Sequence, residues 1–440
     1  MIDLILKNKL FKYLVFLFFV SVFVFARSFM GIYIFGFRIG ELAMGFSLLI
    51  FIFSMVTFYS SNIFNNSNKK IFFITFFLIS ITFIVNVFIY GNSISTYTFR
   101  SSSYIWTTGF LFFGYQFFRV NTLSKNLIYV GIPILIYIYF FSIYGFPQTI
   151  IDFILSISDK FEPHKGSDLL IIYVTIVFVV NKLFMDKRRG FEIFILLTSL
   201  YFPLMLFKSR ASFIAFLFFS ISELYYFRNN INSNYKRNLL LIFLVIFIFF
   251  QSVFFVSGSG FIKADEIEAE VEYVATYRND PDDEKFRLFY IAEDTLGSRT
   301  TRIFSSDNNL NWRLQIWQDV IYDLLSKNKL ILGYGYEDKI PAMLDEGRSG
   351  LDRLNENVHN YVVTLLARGG ITTVILYSLL YFMLIKTYKD ETKSNYFLIY
   401  LIPVLFNSLF DVAMENSHFP LIFYFFSGML FHKNKIFNNY

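Results

Sequence analysis

The sequence predicts an all-α polytopic membrane protein, with about twelve transmembrane helices and one large extracytoplasmic loop that contains helices of its own. Three observations carry this. Of the 440 residues, 55% are apolar and only 16% charged, and the mean hydropathy of +0.52 lies far from the average of soluble chains. The apolar residues are gathered in runs close to the roughly 20 residues that a helix needs to cross about 30 Å of hydrocarbon. The runs are continuous and do not alternate with polar residues, which fits helices and not a barrel.

Twelve such runs lie at 10–26, 40–59, 71–90, 103–119, 127–145, 168–184, 191–206, 210–227, 238–257, 360–386, 396–413 and 418–432. They divide the chain into helices 1–9 (residues 1–257), a large loop (258–358) and helices 10–12 (359–440). The first run has a basic flank (Lys7, Lys9, Lys12) but only Ala26-Arg27-Ser28-Phe29 after it. With no small-residue cleavage site there, it is expected to be a retained anchor. The chain has no cysteine, so no disulfide braces its loops. With the N-terminus in the cytoplasm, the inside segments hold 19 Lys and Arg against seven in the short outside loops. The positive-inside rule therefore expects both termini in the cytoplasm. The formal charge of +6 is thus mostly a topology signal, and no nucleic-acid partner is expected.

The long loop, which this topology places outside, in a periplasm or its equivalent, holds 20 Asp and Glu against 12 Lys and Arg, a net of −8. Nine of the acidic residues fall between Asp265 and Glu284. They are expected to form a solvated acidic face, because their spacing fits no divalent-cation loop. In NWRLQIWQDVIYDLLSKN, Asn311 to Asn328, apolar residues at Trp312, Ile316, Trp317, Val320, Ile321, Leu324 and Leu325 form a helical stripe. Asn311 is its expected cap. Two tryptophans on that stripe suit a helix lying at the membrane interface over the bundle. The following Gly333-Tyr334-Gly335-Tyr336 is a turn signal.

Three positions stand out for chemistry, all on the outer side. Arg210 follows Lys208 and Ser209 in the tight turn between two apolar runs. An arginine there either snorkels to the interface or, with Lys208, concentrates positive charge where it is otherwise avoided. Arg313 shares its stripe with Ile316, Trp317 and Val320, so it faces inward and needs an anionic partner. An acidic side chain and a ligand phosphate both satisfy that need, and the planar guanidinium fork suits phosphate. His359 stands at the start of the helix that follows the loop, with Val362, Val363, Leu366 and Gly370 on its face. Set at a membrane–water boundary with an ordinary pKa near 6.5, it is either structural or a proton acceptor. Arg368, nine positions on, is about 180° around that helix and is not expected to join it. P-loop, zinc and GxSxG patterns are missing. The first outer loop, RSFMGIYIFGFRIGE, has no Asp to act as a metal ligand.

Taken together, KSRASFIAFL, then NWRLQIWQDVI with LLSKNKLILGYGY, then NVHNYVVTLLARGGI resemble the three blocks of the O-antigen ligase and polymerase superfamily, over roughly Tyr201 to Leu380. The resemblance implies a GT-C-like, metal-independent, inverting glycosyltransferase of the periplasmic face. Its donor would be an undecaprenyl-pyrophosphate-linked glycan and its acceptor a lipid-linked repeat unit or lipid A-core. It carries catalytic roles onto Arg210, Arg313 and His359; Lys208, Arg302 and Asn360 are the expected substrate contacts. No cofactor or metal is implied; membrane lipids and a chain-length regulator are further partners. Arg368 stands where the family often has an acidic residue. The strongly acidic loop would repel phosphate-rich lipid A-core, which tilts the expectation toward a polymerase, with a ligase as the alternative. A lipid-linked oligosaccharide flippase is the alternative of another class, but transporters keep polar groups near mid-membrane, and these runs are nearly bare of them.

Overall fold

The computed structural model describes residues 2–60, 67–91, 95–121, 127–158, 161–183, 187–228, 235–258, 288–292, 301–345, 348 and 355–429. The acidic run between Asp265 and Glu284 lies outside the described residues. The first nine helices are α1 (Ile2–Lys7), α2 (Lys9–Met30), α3 (Ile39–Ser60), α4 (Ser67–Tyr90), α5 (Thr96–Ser101), α6 (Ser103–Trp106), α7 (Gly109–Val120), α8 (Leu127–Tyr144) and α9 (Gln148–Ile157). They are followed by α10 (Gly166–Leu183), α11 (Lys187–Lys208), α12 (Arg210–Phe227), α13 (Tyr235–Ser257), the loop helix α14 (Asn308–Ser326), α15 (Tyr361–Thr392), α16 (Phe397–Ser408) and α17 (His418–Met429). Sheet among the described residues is confined to two small antiparallel pairs, β1 (Tyr33–Ile34) with β2 (Phe37–Arg38) and β3 (Tyr290–Ala292) with β4 (Arg302–Phe304). This is an all-α membrane protein.

Each apolar run of the sequence meets a helix, but not always with the expected bounds. Among the described residues, five helices are long and apolar enough to cross a membrane alone, and α8 with α9, bent by 95°, would make a sixth. The expected run 103–119 is broken at Thr107-Thr108, whose hydroxyls bond back to the carbonyls of Tyr104 and Ile105, a competition that bends helices. The expected run 396–413 ends early. Helix α16 stops at Ser408, about 18 Å long at 1.5 Å per residue, and residues 409–417 form a loop.

The bundle is held by aromatic and aliphatic packing that is continuous from α2 through α17. Its closest contact is between α7 and α17. A Cβ on Gly114 would lie 2.0 Å from the Phe425 carbonyl oxygen, so only glycine lets these backbones meet, the small-residue rule of membrane helices.

A second, smaller core lies outside the bundle. Ile316, Val320 and Leu324 of α14 pack with Ile340, Ala342, Met343 and Val358 of the loop and with Val363 and Ala367 of α15. The loop helix is therefore clamped to the first turns of α15, and Ile321 and Leu325, expected on the buried stripe, are exposed. Its cap is Asp307, whose side chain accepts from Leu310 N at 2.9 Å. Asn311 instead lies buried in the first turns, accepting from Ser305 N at 3.0 Å.

The run 360–386, expected as one helix, is broken within α15. Gly370 leaves the helix at φ 68°, ψ −172°, a region open essentially to glycine alone. The segment Leu330–Gly335 enters the break. Tyr334 N donates to Ala367 O (2.7 Å), Gly335 N to Arg368 O (3.1 Å), Ile371 N to Leu330 O (2.9 Å) and Thr372 N to Ile331 O (3.4 Å). The Gly-rich turn of the sequence is thus the wedge that splits α15 into a short outer segment and a long inner one.

Candidate active site

The outer segment of α15 begins one residue later than expected. Asn360 is its N-cap, accepting from Val363 N at 3.0 Å, and His359 precedes the helix with φ 53°, an uncommon conformation for a residue with a side chain. Its ring meets Trp312 of α14 edge to face, with centroids 5.2 Å apart. His359 Nε2 lies 3.3 Å from Asn355 Oδ1, and Nδ1 is buried without a hydrogen-bond partner among the described residues. Burial holds the His359 pKa well below its ordinary value; Arg313, Lys165 and Arg27 press the same way and Asp411 opposes them. The imidazole is therefore neutral at neutral pH, with a nitrogen free to accept or donate one hydrogen bond.

Arg313, on the inward face of α14, donates through Nη1 to the carbonyl of Phe410 in the α16–α17 loop. Its Nε is buried without a partner among the described residues, so part of its fork remains to be filled. Arg210 is the first residue of α12 and pairs with Asp307 at the start of α14. Asp307 also acts on Arg313, raising its pKa against the larger effect of burial. Through that carboxylate the two arginines are brought to one end of the bundle. Lys208 ends α11 two residues before Arg210.

Arg302 and Asn360 are held in structural bonds. Arg302 donates to Asp319 Oδ1 at 2.7 Å and to the Gln315 carbonyl at 3.3 Å, and Arg348 closes the same cluster on Asp319. Arg368 lies apart from His359, as its place on the helix predicts. It donates to the carbonyls of Gly335 and Asp338 and to the Tyr97 hydroxyl, so it ties the Gly-rich turn to α15.

The sequence reading missed the floor of the site, which is the loop 409–417 between α16 and α17. Phe410 receives Arg313; Asp411 acts on both Arg313 and His359; Glu415 Oε1 accepts from Thr364 of α15 at 2.5 Å; and Asn416 Oδ1 accepts from Arg27 at 2.9 Å. Arg27 in turn pairs with Glu162 at 2.6 Å. Below this floor Asp168, in the first turn of α10, takes His418 Nε2 at 2.6 Å and Lys165 N at 3.0 Å, both carboxyl and imidazole being buried. Arg27 and Lys165 are legible in the sequence only as two of the few cations outside the loop, and Asp411 and Glu415 are the acidic residues closest to the last two apolar runs.

At one end of the bundle Arg313, Lys165 and Arg27 act on a neutral histidine and Arg210 shares Asp307 with Arg313, a concentration of positive charge suited to an anion. Residues 193–378 match the family model described as O-antigen ligase, which supports a likeness to the O-antigen ligase and polymerase superfamily over that part of the chain. The match spans α11 to α15 and contains Lys208, Arg210, Arg302, Arg313, His359 and Asn360. Proteins of this family are glycosyltransferase-like enzymes that work on lipid-linked glycans. No curated protein matches the chain.

Proposed function

We propose that the protein is an inverting glycosyltransferase of the O-antigen polymerase and ligase type. It works at the periplasmic face of the inner membrane, with both termini in the cytoplasm and about twelve GT-C-like spans. The observation that carries this reading is the convergence of Arg210, Arg313 and His359, from three separate elements, on one end of the bundle. Arg210 and Arg313, with Lys208, grip the pyrophosphate of an undecaprenyl-linked donor and stabilise its charge as it leaves. His359 holds the acceptor hydroxyl for direct displacement at the anomeric carbon. Arg302 and Asn360 are further substrate contacts, Arg302 held to α14 through Asp319 and Asn360 placed by its role as the cap of α15.

The polymerase form of the reaction, with a second lipid-linked repeat unit as acceptor, is favoured by the net charge of −8 on the long loop. The experiment is a deletion strain. Loss of a polymerase leaves lipopolysaccharide capped with at most one repeat unit, and His359→Ala reproduces that phenotype. Bare core with accumulated lipid-linked polymer would identify the ligase instead, and an unchanged lipopolysaccharide profile would refute both.

A further inference from the structure

The site contains a second group able to take a proton. Glu415 belongs to the α16–α17 loop, and its two carboxyl oxygens stand in different settings. Oε1 accepts from the Thr364 hydroxyl at 2.5 Å, while Oε2 is buried with no hydrogen-bond partner among the described residues. The Ser103 hydroxyl donates to its backbone carbonyl at 2.9 Å, which fixes the loop. Its neighbours on that loop are the site's own. Phe410 carries Arg313, and Asn416 carries Arg27. Thr364 lies one turn, about 6 Å, along α15 from Asn360, the residue next to His359, and its backbone amide donates to the Asn360 carbonyl at 2.8 Å. A buried carboxylate oxygen left unmatched is costly, and at a functional site such an oxygen marks a place for a substrate hydrogen.

We propose that Glu415 is the base of the transfer reaction, its Oε2 receiving the proton of the acceptor hydroxyl while His359 orients that hydroxyl. The proposal rests on the transferase reading above. In the step, the acceptor oxygen forms a bond to the anomeric carbon as the bond from that carbon to the pyrophosphate oxygen breaks. The electron pair leaves with the pyrophosphate, held by Arg210 and Arg313, and the hydroxyl proton passes to Oε2.

The electrostatics fit this division. Burial raises the Glu415 pKa to about 7, the hydrogen bonds from Thr364 and from its own backbone amide opposing the rise and Asp411 adding to it. The phenol of Tyr104, on α6, lies within electrostatic reach of the same carboxyl. A base is most effective with a pKa near the working pH, whereas His359 is held well below its ordinary value and is the poorer proton sink.

The test uses the full-length protein reconstituted with envelope vesicles of the deletion strain, which hold both donor and acceptor. Transfer is followed across acid to alkaline pH. The native enzyme should lose activity as pH falls through about 7, because protonation removes the base. Glu415→Gln should lower turnover by about 100-fold or more, the scale of a lost general base, and abolish that inflection, while quenching of Trp312 by the vesicles' donor lipid persists. Thr364→Val should move the inflection to higher pH, since its hydroxyl lowers the Glu415 pKa, and His359→Gln should leave it in place. Glu415→Gln within about threefold of native, or an inflection that disappears in His359→Gln and survives in Glu415→Gln, would overturn this assignment alone. A native protein that transfers no glycan at any pH would overturn the transferase reading with it.

Discussion

Replacing Gly370 with alanine tests whether the break in α15 holds the site together. The new Cβ would lie 2.1 Å from the Ile331 carbonyl oxygen and 2.5 Å from Leu332 N, both backbone atoms that cannot rotate away. Keeping the native φ of 68° costs about 1–3 kcal/mol for a residue with a side chain, before that clash is counted. Relieving it by straightening α15 instead gives up four backbone hydrogen bonds to Leu330–Gly335, each worth about 1 kcal/mol net. Either route comes to about 3 to 4 kcal/mol. At about 2 to 4 °C per kcal/mol, the outer region should melt roughly 6 to 15 °C lower. Trp312 and Trp317 both pack in the outer core, so tryptophan fluorescence during heating in detergent reports the loss directly. Glycan transfer should fall with it, because the same segment of α15 carries Asn360 and Thr364. Gly45→Ala, in α3 with open space around it, is the control and should be neutral. A Gly370→Ala protein that melts within about 1 °C of native and transfers normally would show that the break does not support the site.

Arg210→Lys and Arg313→Lys should each remove most turnover while the protein stays inserted and folded, because lysine keeps the charge but loses the planar fork; near-normal transfer by either would reduce that arginine to a structural partner of Asp307 or Phe410. Transfer from purified lipid-linked donor should persist in excess EDTA, since the first outer loop lacks an aspartate to hold a metal; loss of turnover that Mg²⁺ or Mn²⁺ restores would refute the metal-free mechanism. Lowering the pH from about 6.5 should loosen the seat of His359, because its folded pKa lies below that of the free side chain and protonation then favours release. Stability measured by the Trp312 signal should fall with pH in the native protein and less in His359→Gln.

Most of the bundle helices were legible because each needs only a run of apolar residues, and each of the twelve runs meets one, whereas α1, α5 and α9 lie outside those runs. What the sequence concealed are the places where a long-range contact overrides the local pattern. Asn311 looked like the cap of the loop helix because the apolar stripe begins after it. The preceding turn, Asn308–Leu310, has no such periodicity, and Asp307 caps it only because the chain turns there toward Arg210. The Gly369-Gly370 pair did carry a signal, since glycine weakens a helix interior. The apolar residues on either side outweighed it, and nothing local says that Leu330–Gly335 will fill the gap.

The floor of the site was hidden for a related reason. Asp411 and Glu415 sit at the end of a run that is apolar on average, so a search by hydropathy extends the helix over 396–413 and leaves residues 414–417 as a mere connection. Their environment is made by partners far away in sequence: Arg313 reaches Phe410 across 97 positions and Thr364 reaches Glu415 across 51. A carboxylate in water at such a turn would need no comment. The same carboxylate with one oxygen bound and the other buried unmatched is a group waiting for a hydrogen, and only the packing of α14 and α15 over the loop makes it one. Cations that announce themselves by standing where positive charge is avoided could be found in the sequence. An acid whose character depends on being covered could not.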